Sequence, residues 1–497
     1  MKQYNINLLN KYFDYLKKTK KDIGFLSEKT VADLEIELLF NKLNNCNSKI
    51  GEQYFFALLK VNKNFNLLKI NSLYQYFKNN EKDRLQVNKE LQKINNIRDY
   101  DIIDLIEQEI FINDKYYKYA QFSLFSTILI ILSSFFIPKM VLLLIPFFIG
   151  NLIFHYLNKN FVEYYNSIIF RLQTILSVSE KLKQIPILKN ELDKINTKKI
   201  KNNLAFAYFE KALVTNEYLS ILWVVIEIFK IIFLVEIFTF RKKAEILNNS
   251  KEELLKLYEA IGFIDTSINV FEIRKNYKTC EPIFVDNKEI RINNIYHPFI
   301  ENCIENSFEL KDKSMVITGS NMSGKTSFMR KIATNTIFAQ NFGFCFADYF
   351  SIPRVQILSS ISVNDDISEN KSYYLEEVLR IKDFLKERTG FSLILIDEIF
   401  KGTNTKERIA ISKAVLQNLN TSENIVFITT HDLEIANFLR NQHYDLYYFD
   451  EDIKENELYF PYQLKRGINN KTNAIKILEM YDYPKNIVNL ANKLAND

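Results

Sequence analysis

The chain has 497 residues, 47% apolar and 25% charged, with 65 Lys and Arg against 60 Asp and Glu, a net charge of +5. That balance excludes wholesale disorder and predicts about two to four domains at ~100–200 residues each. The charge is far below that of a strongly basic nucleic-acid protein, so it neither requires nor forbids a basic groove. Only 10 Gly and 8 Pro are present, so long helices should dominate. Cys46, Cys280, Cys303 and Cys345 lie far apart and form no CxxC pair. We expect reduced thiols in a cytosolic compartment and no structural zinc site. The first 22 residues contain no apolar h-region, so no cleaved signal peptide is expected.

Residues 1–110 read as polar helices with apolar positions near a 3.6 period, such as Val31, Leu34 and Leu38. The composition then shifts. Tyr119 to Pro138 carries no formal charge over 20 residues, Lys139 interrupts, and Met140 to Asn158 adds 19 more. A bilayer crossing needs about 20 apolar residues. The two runs (119–138 and 140–158) fit a transmembrane helical hairpin turning at Pro138-Lys139, with two buried core helices as the alternative. Lys115, Lys118 and Lys159 would then share one face of the bilayer, a weak positive-inside signal. A third apolar stretch, Tyr218 to Phe240, contains Glu227, Lys230 and Glu236. Charges are costly at mid-membrane, so a buried or interfacial helix is the favoured reading there. Lys-rich segments at 181–201 and 242–256 read as solvated helix faces.

From about Asn293 short β-branched runs alternate with helical segments: 315–318, 393–396 and 425–429. This pattern indicates a parallel α/β sheet. Six of the ten glycines fall between Gly319 and Gly467. Gly319-Ser320-Asn321-Met322-Ser323-Gly324-Lys325-Thr326 fits GxxxxGK[ST] after a strand and before a helix that should run from Ser327 to Gln340. Its backbone amides would face phosphate oxygens, Lys325 would reach the outer phosphates, and Thr326 would offer a hydroxyl to Mg²⁺. Ser327 completes the expected ATP-binding set. Leu393 to Ile396 should form a buried strand ending in Asp397, a Mg²⁺ ligand through water, and Glu398, which would orient or deprotonate the attacking water. His431, past the next apolar run, would meet the γ-phosphate or that water. ATP and Mg²⁺ are therefore the expected cofactors.

Together these residues resemble the MutS family of ABC-type ATPases, known from DNA mismatch repair. The P-loop with Asn321-Met322 resembles that family's loop. Asp397 to Thr405 resembles its Walker B and D-loop run. Asp365-Asp366-Ile367 with Ser372 to Glu377 resembles its signature segment, and Tyr296-His297-Pro298 its His-Pro. Phe308 stands about where the family stacks an aromatic ring on adenine. Leu464, Gly467, Ala474-Ile475 and Pro484 resemble its C-terminal dimerising segment. Asp33-Leu34-Glu35, residues 47–54 and residues 254–284 more weakly resemble the ends of its lever domain.

The resemblance implies an α/β P-loop ATPase domain (291–497) preceded by an all-α lever domain (1–110 and 246–290). The membrane hairpin and its flanking helices (111–245) are inserted where the family has its DNA clamp. It implies a homodimer in which Ser372 reaches the nucleotide held by the partner's P-loop. Both lever segments must lie on one side of a membrane, which favours an even number of spans. The ATPase would then sit in the cytoplasm, with the bilayer as a partner. The chain departs from the family in several places. It begins close to the lever, and residues 1–110 hold no Phe-x-Glu reading motif; Phe161-Val162-Glu163 has the spelling in another context. Ser360 replaces a usual Arg, and Ser320 and Ser323 replace a usual Pro and Gly. Mismatch recognition is therefore not implied. The open readings are a membrane-anchored ATPase acting on DNA, a membrane switch with a protein or lipid partner, and a nucleotide-binding protein without turnover.

Overall fold

The structure is a computed structural model, and it describes residues 4–20, 23–62, 67–203, 220–320, 322–361, 373–454, 457–469 and 474–496. The chain forms two compact units.

The first unit comprises residues 1–19, 44–57 and 72–271, and its described elements are helical. Helix Ile6–Thr19 buries Leu9, Tyr12, Phe13 and Leu16, an i, i+3, i+4, i+7 stripe. Helices Lys49–Leu58 and Lys251–Asn276 cross closely at two glycines. A Cβ on Gly51 would lie 2.1 Å from Asp265 Oδ2, and one on Gly262 2.6 Å from Tyr54 Cβ. Asp265 is fully buried and accepts hydrogen bonds from the Asn47 amide, the Ser48 amide and the Ser48 hydroxyl at 2.9, 2.7 and 2.6 Å. Burial pushes its carboxyl up to about 6, against the pull of those donors.

The apolar runs of this unit form helix Asp114–Ser134, a turn continuing through the 3-10 stretch Pro138–Leu143, and helix Leu144–Leu182. The last is 39 residues long and continues well past Lys159, because a charge that ends an apolar run need not end a helix. Pro138–Leu182 is the one stretch among the described residues long and apolar enough to cross a membrane, and little of its most apolar part is buried. Large apolar side chains stay exposed along both arms, including Phe122, Phe125, Leu132, Phe135, Phe136 and Ile153. The expected third stretch is broken. Helix Ser220–Phe233 ends at Leu234, whose φ is 48°, and Val235–Asn248 follows. Asn151 ties the three pieces together: it accepts from Ser123 Oγ at 2.6 Å and donates to the Ile232 carbonyl at 2.8 Å. His155 Nδ1 lies 2.9 Å from Glu236.

The second unit comprises residues 20–43, 58–71 and 272–497. Its larger sheet contains β4 (Ser314–Thr318), β6 (Val355–Ser360), β7 (Phe391–Asp397), β8 (Asn424–Thr430), β9 (Tyr444–Phe449) and β12 (Leu464–Arg466), in the order β12-β9-β4-β8-β7-β6. All neighbours are parallel except β12 against β9. A smaller sheet of order β1-β5-β2-β3 contains β1 (Ile283–Val285), β2 (Glu289–Ile295), β3 (Asn306–Lys311) and β5 (Tyr349–Pro353). β10 (Asp452–Lys454) and β11 (Glu457–Tyr459) pair antiparallel. β4 and residues 393–396 of β7 are buried throughout, as expected of parallel strands covered on both faces.

The sequence reading assigned 20–43 and 58–71 to the start of the lever; here they pack with the α/β sheets. Asp33 is the reason at one end: buried, it accepts from Ser359 Oγ at 2.8 Å, the Ile361 amide at 3.0 Å and Arg380. At the other, Asn341 donates to the Leu58 and Val61 carbonyls at 2.9 and 2.7 Å.

Candidate nucleotide site

The site lies where β4, β7 and β8 end. Parallel neighbours present their C-terminal ends on one edge, so residues far apart in sequence converge there. Thr318 pairs with Thr430 in the β4–β8 register, and Asp397 with Thr429 in the β7–β8 register.

The 319–324 loop leaves β4 through Gly319, whose φ is 147°, and enters helix Lys325–Phe342 through Gly324, whose φ is 100°. Gly324 caps this helix in the left-handed region, so the helix starts at Lys325 rather than Ser327. A side chain at Gly319 would put a Cβ 2.8 Å from the Phe449 carbonyl. Fifteen of the helix's eighteen residues are buried, so the loop sits on a rigid interior support. The Lys325 ammonium donates to the Gly319 and Ser320 carbonyls, both at 2.7 Å. Burial lowers its pKa, against the opposing pull of Glu398 and Asp397. Ser320 Oγ donates to Glu451. Ser323 is buried, and its Oγ has no hydrogen-bond partner among the described residues. Met322 and Ser327 are exposed.

Thr326 Oγ1 donates to Asp397 Oδ2 at 2.7 Å, and Thr429 Oγ1 donates to the other oxygen of the same carboxylate. A hydroxyl and a carboxylate held together beside the Lys325 ammonium are the hard-oxygen pair that Mg²⁺ takes. The donor set therefore fits that ion. Glu398 follows with φ 54°. Its carboxylate lies 3.1 Å from Lys401 Nζ and 3.4 Å from His431 Nδ1. Burial alone would raise its pKa; Lys401 and His431 outweigh that and hold it below the ordinary value. Glu398 is thus an ionised carboxylate at neutral pH, touching an imidazole.

The structure brings together Gly319, Ser320, Ser323, Gly324, Lys325, Thr326, Asp397, Glu398 and His431. Asn321 and Ser372 lie outside the described residues, as do Asp365 and Asp366. Phe308 needs correction. It is 6% exposed and packs edge-on to Phe328 and Phe427, with centroids 5.7 and 5.9 Å away. The cause is strand alternation: Asn306, Phe308 and Leu310 face inward on β3 while Ser307, Glu309 and Lys311 face out. The aromatic ring beside the loop is Tyr462, half-exposed, which a Cβ on Gly324 would approach to 2.9 Å. Asn306 holds its backbone, donating to the Tyr462 carbonyl at 3.2 Å and accepting from the Leu464 amide at 2.6 Å. No local motif in the sequence marks Tyr462.

Residues 315–497 match the family model of MutS domain V. The chain is 29% identical over 273 residues to the DNA mismatch repair protein MutS of Staphylococcus epidermidis, covering 52% of this chain and 31% of that protein. It is 30% identical over 251 residues to MutS protein homolog 4 of Mus musculus, covering 47% and 26%. With MutS of Methanosarcina barkeri the figures are 27% over 275 residues, 53% and 30%. These matches support the MutS family for this part of the chain. The chain spans under a third of the length of each of these relatives.

Proposed function

We propose that this chain is a MutS-like ATPase, anchored to a membrane by its apolar hairpin and working as a nucleotide-dependent dimeric clamp or switch on DNA. The observation that carries the ATPase reading is the Thr326–Asp397 hydrogen bond beside Lys325, with Glu398 and His431 next to it. Lys325 supplies positive charge to the outer phosphates of ATP. Thr326 and Asp397 would hold Mg²⁺, which would supply positive charge to the phosphate oxygens. Glu398, ionised, takes the proton of the attacking water, and His431 orients that carboxylate. Tyr462 offers a face on which a base can stack.

The matched family supports DNA as substrate and a homodimer as the working form. An exposed apolar stripe on helix Lys485–Asn496 (Ile487, Leu490 and Leu494) suits a dimer contact. The exposed apolar arms between 114 and 157 suit a bilayer, and they equally favour a membrane switch whose partner is a protein or a lipid.

ATP turnover by detergent-purified protein, with and without duplex, branched and single-stranded DNA, decides between these readings. Stimulation by one DNA form that weakens steeply with salt supports the DNA reading. Turnover indifferent to every DNA favours the switch. No turnover above the Glu398→Gln blank removes the ATPase reading. Flotation with vesicles tests the anchor: wild type should float, and a Phe135→Asp, Phe136→Asp variant that floats equally well would refute the hairpin's role.

A further inference from the structure

Glu377 is a buried carboxylate that the mechanism above does not use. It lies on helix Tyr373–Phe384, one turn into it, and is 2% exposed. Its Oε1 accepts the backbone N–H of Phe400, and the Lys401 amide also favours its charged form. Both belong to the turn after Glu398. That turn is an unusual piece of backbone: Glu398 and Phe400 have φ of 54° and 60°, a region that side-chain-bearing residues adopt only when their surroundings impose it. The Glu398 amide itself donates to the Thr429 carbonyl at 3.1 Å. The turn is therefore held at its start by β8 and at its far end by Glu377.

The helix that carries Glu377 is fixed in turn. Arg380, one turn further on, is buried and paired with Asp33. Phe400 packs beside Tyr374, with centroids 6.1 Å apart, and Ile381 and Phe384 join Ile399 and Phe400 in one apolar cluster. A carboxylate is a costly way to fill such a place unless its hydrogen bond matters, and burial indeed raises its pKa.

We infer that Glu377 is a positioning residue for hydrolysis: its carboxylate holds the Phe400 amide so that the left-handed turn presents the Glu398 carboxylate between Lys401 and His431. This inference rests on the ATPase reading above. It also gives a physical route by which a displacement of helix Tyr373–Phe384 would move the hydrolytic carboxylate without touching the P-loop.

The test compares Glu377→Ala and Glu377→Gln with wild type in three measurements: kcat, ATP affinity, and amide hydrogen exchange in a peptide spanning 397–404. Glu377→Ala should lower kcat by about 100-fold, the scale of a small misplacement of a reacting group, while ATP affinity stays unchanged and exchange in 397–404 quickens. Glu377→Gln keeps an oxygen acceptor for Phe400 and should recover most of kcat. Unchanged kcat and exchange in Glu377→Ala would overturn the inference. So would equal losses in both variants accompanied by weaker ATP binding, which would mark a purely structural role. If the wild type turns over no ATP, the ATPase reading fails on its own. Exchange then decides the anchor alone, and a 397–404 segment as protected in Glu377→Ala as in wild type would refute it.

Discussion

Replacing Glu398 by Gln changes one oxygen to an amide and keeps the side chain's volume. The structure says what is lost. The carboxylate contacts Lys401 at 3.1 Å and His431 at 3.4 Å, and an amide there keeps an oxygen acceptor but loses the charge attraction to Lys401. The amide cannot take a proton from water. Removal of a well-placed general base typically costs 10²–10⁴-fold in rate, about 3–5 kcal/mol in barrier height. Binding should survive, because the groups proposed to meet the phosphates and Mg²⁺ are Lys325, Thr326 and Asp397. The expected result is kcat lowered about 100-fold or more with ATP affinity within a few-fold of wild type, measured by phosphate release and by fluorescent-nucleotide titration. Lys325→Ala should show the opposite split, with binding lost. If Glu398→Gln turned over at near the wild-type rate, Glu398 would not be the base and the assignment of this edge of the sheet would fall.

Tyr462→Ala should weaken ATP binding by about 1–2 kcal/mol, the order of one aromatic stacking contact, whereas Phe308→Leu should lower the melting temperature and leave ATP affinity unchanged; nucleotide titration and thermal unfolding of both variants separate the two roles. Gly262→Ala drives a Cβ to 2.6 Å from Tyr54 and should destabilise the helical unit by about 1–3 kcal/mol in denaturant unfolding. Asp265 is protonated more readily folded, with burial raising its pKa to about 6 from the ordinary aspartate value of 3.8. The folded state therefore binds the extra proton between those values, and this site's contribution to stability falls as pH rises from about 4 to about 6, by roughly 3 kcal/mol in all. Asp265→Asn should abolish that component of the pH slope; an unchanged slope would refute it.

How much could be read in advance depended on whether the signal was local. The P-loop was legible because Gly319 and Gly324 occupy φ values that side chains avoid, so the spacing itself carries the geometry. Asp397 was legible because a run of four apolar residues that ends in carboxylates marks the end of a buried strand. Phe308 was misplaced because a resemblance supplies chain position, not strand face. The alternation of Ser307, Glu309 and Lys311 with Asn306, Phe308 and Leu310 was present in the sequence and would have turned it inward. Tyr462, and the contact that Glu377 of the signature-like segment makes with Phe400, were illegible for a different reason. Each matters through a contact with a segment distant in sequence, Gly324 for one and Phe400 for the other, and no local pattern encodes such a pairing. The same holds for Asp33, whose partners Ser359, Ile361 and Arg380 lie more than 300 residues away.

The exposed apolar arms are the observation behind the proposed membrane anchor. Large contiguous apolar patches are rare on proteins surrounded by water and mark sites of contact. Phe135 and Phe136, at the turn, are 81% and 88% exposed, where a soluble core helix would have buried them. Helix Asp114–Ser134 has the length of a bilayer crossing, 21 residues rising ~32 Å at ~1.5 Å each, while among the described residues only Pro138–Leu182 is also apolar enough over such a length. Asn151 lies deep in the second arm, yet its hydrogen bonds run to Ser123 and the Ile232 carbonyl, so its polar atoms find partners without water, as the proposed lipid surroundings would demand. The acidic side chains of the third stretch are likewise matched: Glu236 with His155, and Glu227 with Lys230 at 3.7 Å. Helix Ser220–Phe233 ends at Leu234, where the backbone turns left-handed, and its Glu227 and Lys230 lie 3.7 Å apart on the same helix. The proposed hairpin of two arms, with a polar-stitched helix beside it, gives each of these groups a partner within the protein.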